Sequence, residues 1–351
     1  MKMALCNDTH AGARGNSLIF NEYFFEFWDN IFFPYLKKNN IKHIMHLGDL
    51  VDIRKNINYV ILNSWNKRFF QRCEDEGIQF EIIVGNHDVA YKNTNEINAI
   101  EELFRKKYPN IILHTKPIIK NFDGTDIALI PWINDENYNE SMSLIKTTKA
   151  QICFGHFEIA GFEFDRGNVC HSGLDRAIFK KFDRVLSGHF HHKSSDGTID
   201  FLGCQYQMTW SDYGDQKGFH VFDTDSRQLD YIKNPNEMFV KIVYDEYDIE
   251  EIKPERITNK HVKLMVRNRK DHDKFDKYVG ELERLGPADF TIIDSDMGID
   301  IQLEDNIDET KSTLDILIET TRKTPLPNVD PKDVEKLLRD LHMESQQMET
   351  D

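Results

Sequence analysis

The sequence predicts an α/β protein: two packed mixed β-sheets flanked by helices, then a small α/β cap and C-terminal helices. Three observations lead there. Over the first two thirds, short apolar runs alternate with longer stretches of helical periodicity, the pattern of a sheet buried on both faces. From about Gly197 the texture changes to strand after strand, which reads as a second sheet packing on the first. Around Glu250–Thr258 an acidic stretch containing Pro254 marks a boundary, and a strand–helix–strand pattern follows it.

In chain order, strands are expected at Met3–Asn7, His43–Leu47, Glu81–Val84, Ile111–His114, Ile127–Pro131, Gln151–Phe154 and Arg184–Ser187. Helices are expected between them near Ser17–Lys38, Asn58–Glu76, Asn95–Lys107, Tyr138–Thr148 and Gly173–Lys180. In the first helix Phe20, Tyr23, Phe24, Phe27, Trp28, Ile31, Phe32 and Tyr35 recur at spacings of three and four, the signature of a broad core-facing stripe. The later strands are Ile199–Gly203, Gly218–Asp223, Gln228–Lys233 and Phe239–Tyr244. Past the boundary come strand His261–Val266, helix His272–Leu285, strand Phe290–Asp294 and the run Gly298–Leu303. Two further helices, Lys311–Arg322 and Asp333–His342, are separated by Thr324-Pro325-Leu326-Pro327, where proline stops a helix. The expected division is 1–250, 251–308 and 309–351.

With 351 residues, the chain is long enough for two or so domains. Hydrophobic residues at 40% and charged residues at 30% give an ordinary globular balance. Lys+Arg number 44 against 60 Asp+Glu, a net charge of −16, which excludes a simple basic protein that coats nucleic acid. There is no run of 18 apolar residues, so no membrane span is expected. The first residues turn polar too soon for a signal peptide. Five cysteines without a CxxC pair suit small buried residues in a reducing cytoplasm rather than a disulfide framework.

Five apolar runs end alike. They lead into Asp8-Thr9-His10, Gly48-Asp49-Leu50-Val51-Asp52, Gly85-Asn86-His87-Asp88, Gly155-His156 and Gly188-His189-Phe190-His191. Sites in open α/β sheets form outside the carboxyl ends of strands. Glycine permits a sharp turn there, so the next side chain can enter a shared cleft. Asp8, His10, Asp49, Asn86, His156, His189 and His191 are the candidate metal ligands, with His87 and Asp88 beside them as catalytic candidates. This oxygen and nitrogen set has no thiolate, which suits Mn, Fe, Zn or Mg. It is too large for one ion, and two ions ~3.5–4 Å apart would use it efficiently in phosphoryl chemistry.

These motifs, D-x-H, G-D-x-x-D, G-N-H-D, G-H and G-H-x-H in this order, resemble the calcineurin-like metallophosphoesterase superfamily. The resemblance covers residues 1 to about 235. Within it the chain looks most like the SbcD-type nuclease subunit of DNA double-strand-break processing complexes, and nearest to the T-even phage branch. Pro131-Trp132-Ile133, Phe201-Leu202-Gly203, Trp210-Ser211-Asp212 and Lys217-Gly218-Phe219 are similar to that type's other segments. Asp52 stands where such proteins often carry His, and Cys204-Gln205 where Ser-Pro is common.

The resemblance implies one metal held by Asp8, His10, Asp49 and His191, and a second held by Asp49, Asn86, His156 and His189, with Asp49 as the bridge. His87 would stabilise charge on the phosphoryl oxygens or protonate the leaving oxygen. Asp88 would orient His87 or His10, or cap its own loop. The implied activity is a manganese-dependent nuclease, with Mg2+ as the alternative ion, acting on duplex ends and on single strands in recombination, repair and replication. DNA, an SMC-like ATPase of the Rad-fifty/SbcC kind and a second copy of the chain are the implied partners. Basic clusters at Lys37-Lys38, Lys67-Arg68, Arg105-Lys106-Lys107 and Arg267–Lys270 could meet phosphates; Arg267, Arg269 and Lys270 rank first because they fall in the cap. Residues 301–351 hold −7 of the net charge, in the segment assigned to the ATPase. Other readings are a protein phosphatase or cyclic-nucleotide phosphodiesterase, or a non-catalytic scaffold on the same fold.

Overall fold

The structure, a computed structural model, describes residues 1–244, 246–267 and 271–294, with positions 334 and 337. The first sheet has the order β14 (Leu229–Lys233), β13 (Gly218–Asp223), β1 (Lys2–Cys6), β2 (His43–His46), β3 (Gln79–Ile83) and β4 (Ile111–His114). Strands β1 to β4 run parallel, and β13 joins them antiparallel to β1. The second sheet has the order β11 (Ser194–Ser195), β12 (Ile199–Phe201), β10 (Arg184–Gly188), β7 (Ile152–His156), β6 (Thr125–Ile130) and β5 (Ile118–Phe122). A hairpin of β8 (Glu163–Asp165) and β9 (Asn168–Val169) lies outside both.

Period-two alternation explains the layers. Met3, Leu5, Met45, Leu47 and Ile83 of the first sheet meet Ile127, Leu129, Ile152, Phe154 and Leu186 of the second in one buried cluster. The alternate residues Ala4, Cys6, Ile44, Phe80 and Ile82 face the helices over 18–38 and 59–75. On the far side, Ala128, Ile130, Cys153 and Val185 pack against Ile145 of helix Tyr138–Thr147. The molecule is thus helix, sheet, sheet, helix.

The aromatic helix is core, as its spacing predicts. Phe20, Tyr23, Phe24, Phe27, Trp28 and Phe32 are buried, and so are Phe25 and Phe33, which meet Trp65 and Phe69 of the next helix. Its middle, Trp28–Phe32, has wide π-type hydrogen bonding, and Pro34, which has no N–H, lies two residues beyond it. All five cysteines are buried and unpaired.

One expectation is corrected. The late strands form no sheet of their own. β12 extends the second sheet beside β10, β13 and β14 extend the first beside β1, and β15 (Phe239–Val243) leaves both. It pairs in parallel with β16 (His261–Val266), which pairs with β17 (Asp289–Asp294). Helix His272–Arg284 covers this small sheet through Phe275, Tyr278 and Leu282. The small unit therefore takes its first strand from before residue 251. Helix 95–107 is also shorter than expected, with its wide turn at Glu101–Arg105, and 173–180 contains only the short turn Arg176–Phe179. The expected Gly298–Leu303, Lys311–Arg322 and Asp333–His342 lie outside the described residues apart from positions 334 and 337. No helix among the described residues is long and apolar enough to cross a membrane.

Candidate metal centre

The carboxyl ends of β1, β2 and β3 from one sheet meet those of β7 and β10 from the other. The glycines there serve different ends. Gly48 takes a left-handed turn at φ +92°, and a Cβ on it would lie 2.5 Å from His156 Nδ1. Gly85 and Gly188 need no such turn. They are pressed against the site: a Cβ on Gly85 would lie 2.2 Å from Asp49 Oδ1, and one on Gly188 would lie 2.6 Å from the Leu47 carbonyl. The expectation of sharp glycine turns thus holds at Gly48 alone of these three, and close packing accounts for the others. The left-handed strain falls instead on Asp8 (φ 48°), His10 (φ 44°), Asp49 (φ 58°) and His189 (φ 88°). Non-glycine residues hold such angles, at ~1–3 kcal/mol each, only where their surroundings over-determine them.

Two donor groups result. Asp8, His10 and His191 form one, and Asp49, His156 and His189 the other; within each, the donor atoms lie within 4.8 Å of one another. A third grouping, His10 with Asp52 and His87, shares His10 with the first. His10 Nε2 is 3.1 Å from His191 Nε2, two acceptor-capable nitrogens turned toward each other. In the other group His156 Nε2 is 3.3 Å from Asp49 Oδ2 and 3.0 Å from Asn86 Oδ1. Asp49 Oδ2 is also 4.0 Å from His10 Nε2, so this carboxylate sits between the groups. Backbone contacts set the imidazoles. His156 Nδ1 donates to the Leu47 carbonyl at 2.7 Å, which turns Nε2 inward, and His189 N donates to the Asp8 carboxylate at 3.0 Å. Trp132 packs edgewise on His156 and against His189, centroids 6.0 and 5.3 Å away.

The electrostatics sort the histidines. Burial disfavours a charged His10, but the Asp52 carboxylate hydrogen-bonded to it, with Asp49 and Asp8 nearby, outweighs this and lifts it to about 9. Burial likewise opposes charge on His156, and Asp49 lifts it to about 9. Burial and the charge on His156 press His189 down to about 3. Burial would raise Asp49, yet His156 and His87 hold its carboxyl well below the usual carboxylate range.

A family model of the calcineurin-like phosphoesterases matches residues 1–193, which hold all five motifs. The chain belongs to this family. Two curated proteins are similar to it. Exonuclease subunit 1 of Enterobacteria phage T4 is 39% identical over 210 residues, 60% of this chain and 61% of that protein. The D component of nuclease SbcCD from Staphylococcus epidermidis (strain ATCC 12228 / FDA PCI 1200) is 31% identical over 142 residues, 36% of each. The chain thus spans about three fifths of the first relative's length and about a third of the second's. A solved structure from work on a novel archaeal phosphodiesterase covers 67% of this chain and 100% of its own at 12% identity and a TM-score of 0.34, too weak a likeness to bear on the fold.

Phosphoesterases of this family imply divalent ions, and the donor set fits them. It is oxygen and nitrogen throughout and largely buried, and the donor atoms of each group converge within 4.8 Å. His87 stands beside the first group, its ring 4.8 Å from that of His10, and its Nδ1 donates to the Asp52 carbonyl at 2.6 Å. Of the two roles expected for Asp88, its contacts are those of the loop cap. It is fully buried, and its carboxylate makes no hydrogen bond to His87 or His10. Its carboxylate accepts from the backbone N–H groups of Asp49, Leu50 and Gly85, each at 2.8 Å, so it caps the loop that carries Asp49. Two residues outside the candidate ligand set also take part. Asp52 Oδ1 lies 3.1 Å from His10 Nδ1, and the Tyr206 hydroxyl donates to the Thr9 carbonyl at 2.7 Å, holding the Asp8–His10 turn. In the sequence, Asp52 is marked by its place in the G-D-x-x-D motif.

The centre floors an open cleft of about 850 Å³. Arg14, Phe164, Cys170, His171 and Ser211 line its walls. Arg267 lies outside it and pairs with Glu246 at 2.9 Å; Arg269 and Lys270 are outside the described residues. Within the helical basic clusters, Arg68 pairs with Glu22 and Asp29, Arg105 with Glu101, and Lys106 with Glu102 on their own surface.

Proposed function

We propose that this protein is a dinuclear, manganese-dependent DNA nuclease that cuts duplex ends and single strands. The observation that carries this reading is the 39% identity over 210 residues to a protein named as an exonuclease subunit. Asp8, His10, Asp49 and His191 would hold one ion, and Asp49, Asn86, His156 and His189 the other. Divalent ions there would polarise a phosphoryl oxygen and neutralise the charge that grows on it. His87 has its Nδ1 proton committed to Asp52, so its Nε2 serves a phosphoryl or leaving oxygen. Asp8 and Asp49 fix their turns by accepting the backbone N–H groups of His189 and His87.

We further infer that the protein works as the nuclease subunit of an ATPase–nuclease complex in recombination, repair and replication. The partner would be an SMC-like ATPase of the Rad-fifty/SbcC kind, bound through 309–351. The unit 251–308, with β15, would act as a DNA-binding cap. The exposed Tyr59 and Val60, next to buried Ile61 on helix Tyr59–Ser64, and the exposed Ile97, just before the helical turn that buries Ile100, support a dimer face. The test is degradation of linear duplex DNA with Mn2+, run beside a phosphopeptide and cyclic AMP. Turnover of duplex DNA alone is expected. Hydrolysis of the phosphopeptide or cyclic AMP without DNA cleavage would replace this reading with a phosphatase or phosphodiesterase.

A further inference from the structure

Behind the His189–His191 turn lies a second charged cluster. Lys217 Nζ is 2.5 Å from Asp212 Oδ1 and 3.0 Å from Asp215 Oδ2, and it donates to the His191 carbonyl at 2.8 Å. All three donors of the ammonium are therefore used. The side chains of Lys217 and Asp212 are only 2% and 3% exposed. His192 Nδ1 is 3.1 Å from the other oxygen of Asp215, so two consecutive residues of the turn are gripped by one ion pair. Asp212 is itself fixed, accepting from the N–H groups of Met208 at 2.8 Å and Thr209 at 3.0 Å.

Stability does not explain this arrangement. Burying an ammonium and two carboxylates costs several kcal/mol of solvation per ion, about what apolar residues of the same volume would avoid. What the cluster does specify is position. His189 holds a left-handed angle at φ 88°, and the turn must place both His189 and His191 among the donor groups. Besides Lys217, the His191 carbonyl accepts from Cys204 N at the longer distance of 3.2 Å.

We propose that Lys217, locked by Asp212 and Asp215, is a positioning residue that sets the His189–His191 turn and so the affinity of the ion held with His191. This rests on the reading of the site as a two-metal centre. The readout is metal binding. Mn2+ is titrated calorimetrically into the full chain, and thermal melting is followed in parallel.

Lys217→Met is expected to weaken one ion by roughly tenfold or more, the size of effect seen when a metal ligand loses its support. Lys217→Arg, which keeps a buried cation, is expected to recover part of that loss. Asp215→Asn, which leaves Lys217 paired with Asp212, is expected to show a smaller loss in the same direction. Phe222→Leu in the inter-sheet core is the control: it lowers melting without changing affinity. The proposal is overturned if Lys217→Met binds both ions as the wild type does. Should that variant not fold, wild-type affinity in Asp215→Asn overturns it equally. A wild-type chain that takes up no Mn2+ overturns the two-metal reading first and this proposal with it.

Discussion

Asp52 holds two histidines at once. Its carboxylate oxygen lies 3.1 Å from His10 Nδ1, and its own carbonyl accepts from His87 Nδ1 at 2.6 Å. One residue thereby turns the Nε2 of both rings toward the cleft. Removing the carboxylate while keeping the backbone should therefore affect His10 alone. Asp52→Ala is expected to lower affinity for the ion held with His10 by roughly 10–100-fold. Asp52→Asn, which keeps size and one acceptor, should fall between. Calorimetric titration with Mn2+ decides this; equal affinity in all three proteins would show that other contacts orient His10.

His87 belongs to neither of the two groups assigned to the ions, and its loss should separate binding from chemistry. His87→Ala is expected to retain two ions per chain while turnover on duplex DNA falls by roughly 10²–10⁴. Asp49→Ala, which removes the carboxylate between the groups, should lose metal outright. Elemental analysis beside single-turnover cleavage measures both. Unchanged cleavage in His87→Ala would end its assigned role.

Close packing at Gly85 predicts a sharp positional contrast. An alanine there drives its Cβ into Asp49, whose Oδ1 would be 2.2 Å away, whereas Gly124 has open space around it. Gly85→Ala should cost ~1–3 kcal/mol and abolish metal binding. Gly124→Ala, at φ +90°, should cost about 1 kcal/mol through backbone strain and leave metal binding intact. Urea unfolding midpoints and metal titration read the two effects separately.

Glu81 offers a pH test away from the centre. Its buried carboxylate lies 2.6 Å from His114 Nε2, 2.7 Å from Lys120 Nζ and 3.1 Å from His43 Nε2. Burial would raise its pKa, but hydrogen bonds from His114, His43 and Lys120 hold it well below the ordinary value of 4.5. A depressed carboxylate stabilises the fold above its unfolded pKa, and that contribution is lost as pH falls below it. Glu81→Gln should therefore flatten the fall in stability between about pH 6 and about pH 3. Denaturant midpoints across that range test it; parallel profiles for wild type and variant would refute it.

Strand alternation and the five motifs made much of this protein legible before any tertiary information. Helix 18–38 was readable because eight aromatic and apolar residues repeat at helical spacing. The candidate ligands were readable because each falls within a few residues of the end of an apolar run. The sheet membership of the late strands was not. Ile199–Phe201 and Gly218–Asp223 look alike as short apolar runs, yet one extends the second sheet and the other the first. Asp88 shows the same limit at one residue, since nothing local distinguishes a carboxylate aimed at a histidine from one capping backbone N–H groups.

The sequence by itself determined the α/β class, the phosphoesterase motifs and the residue types of the centre, because each is written in a few contiguous positions. Only the tertiary structure decided what Asp52 and Lys217 hold, and where β13 and β15 pair. His10 and His191 are 181 residues apart along the chain and 3.1 Å apart at their nitrogens. That closeness comes from two sheets packing through Leu5, Leu47, Phe154 and Leu186. Burial and register are properties of the packed whole, and no local pattern encodes them.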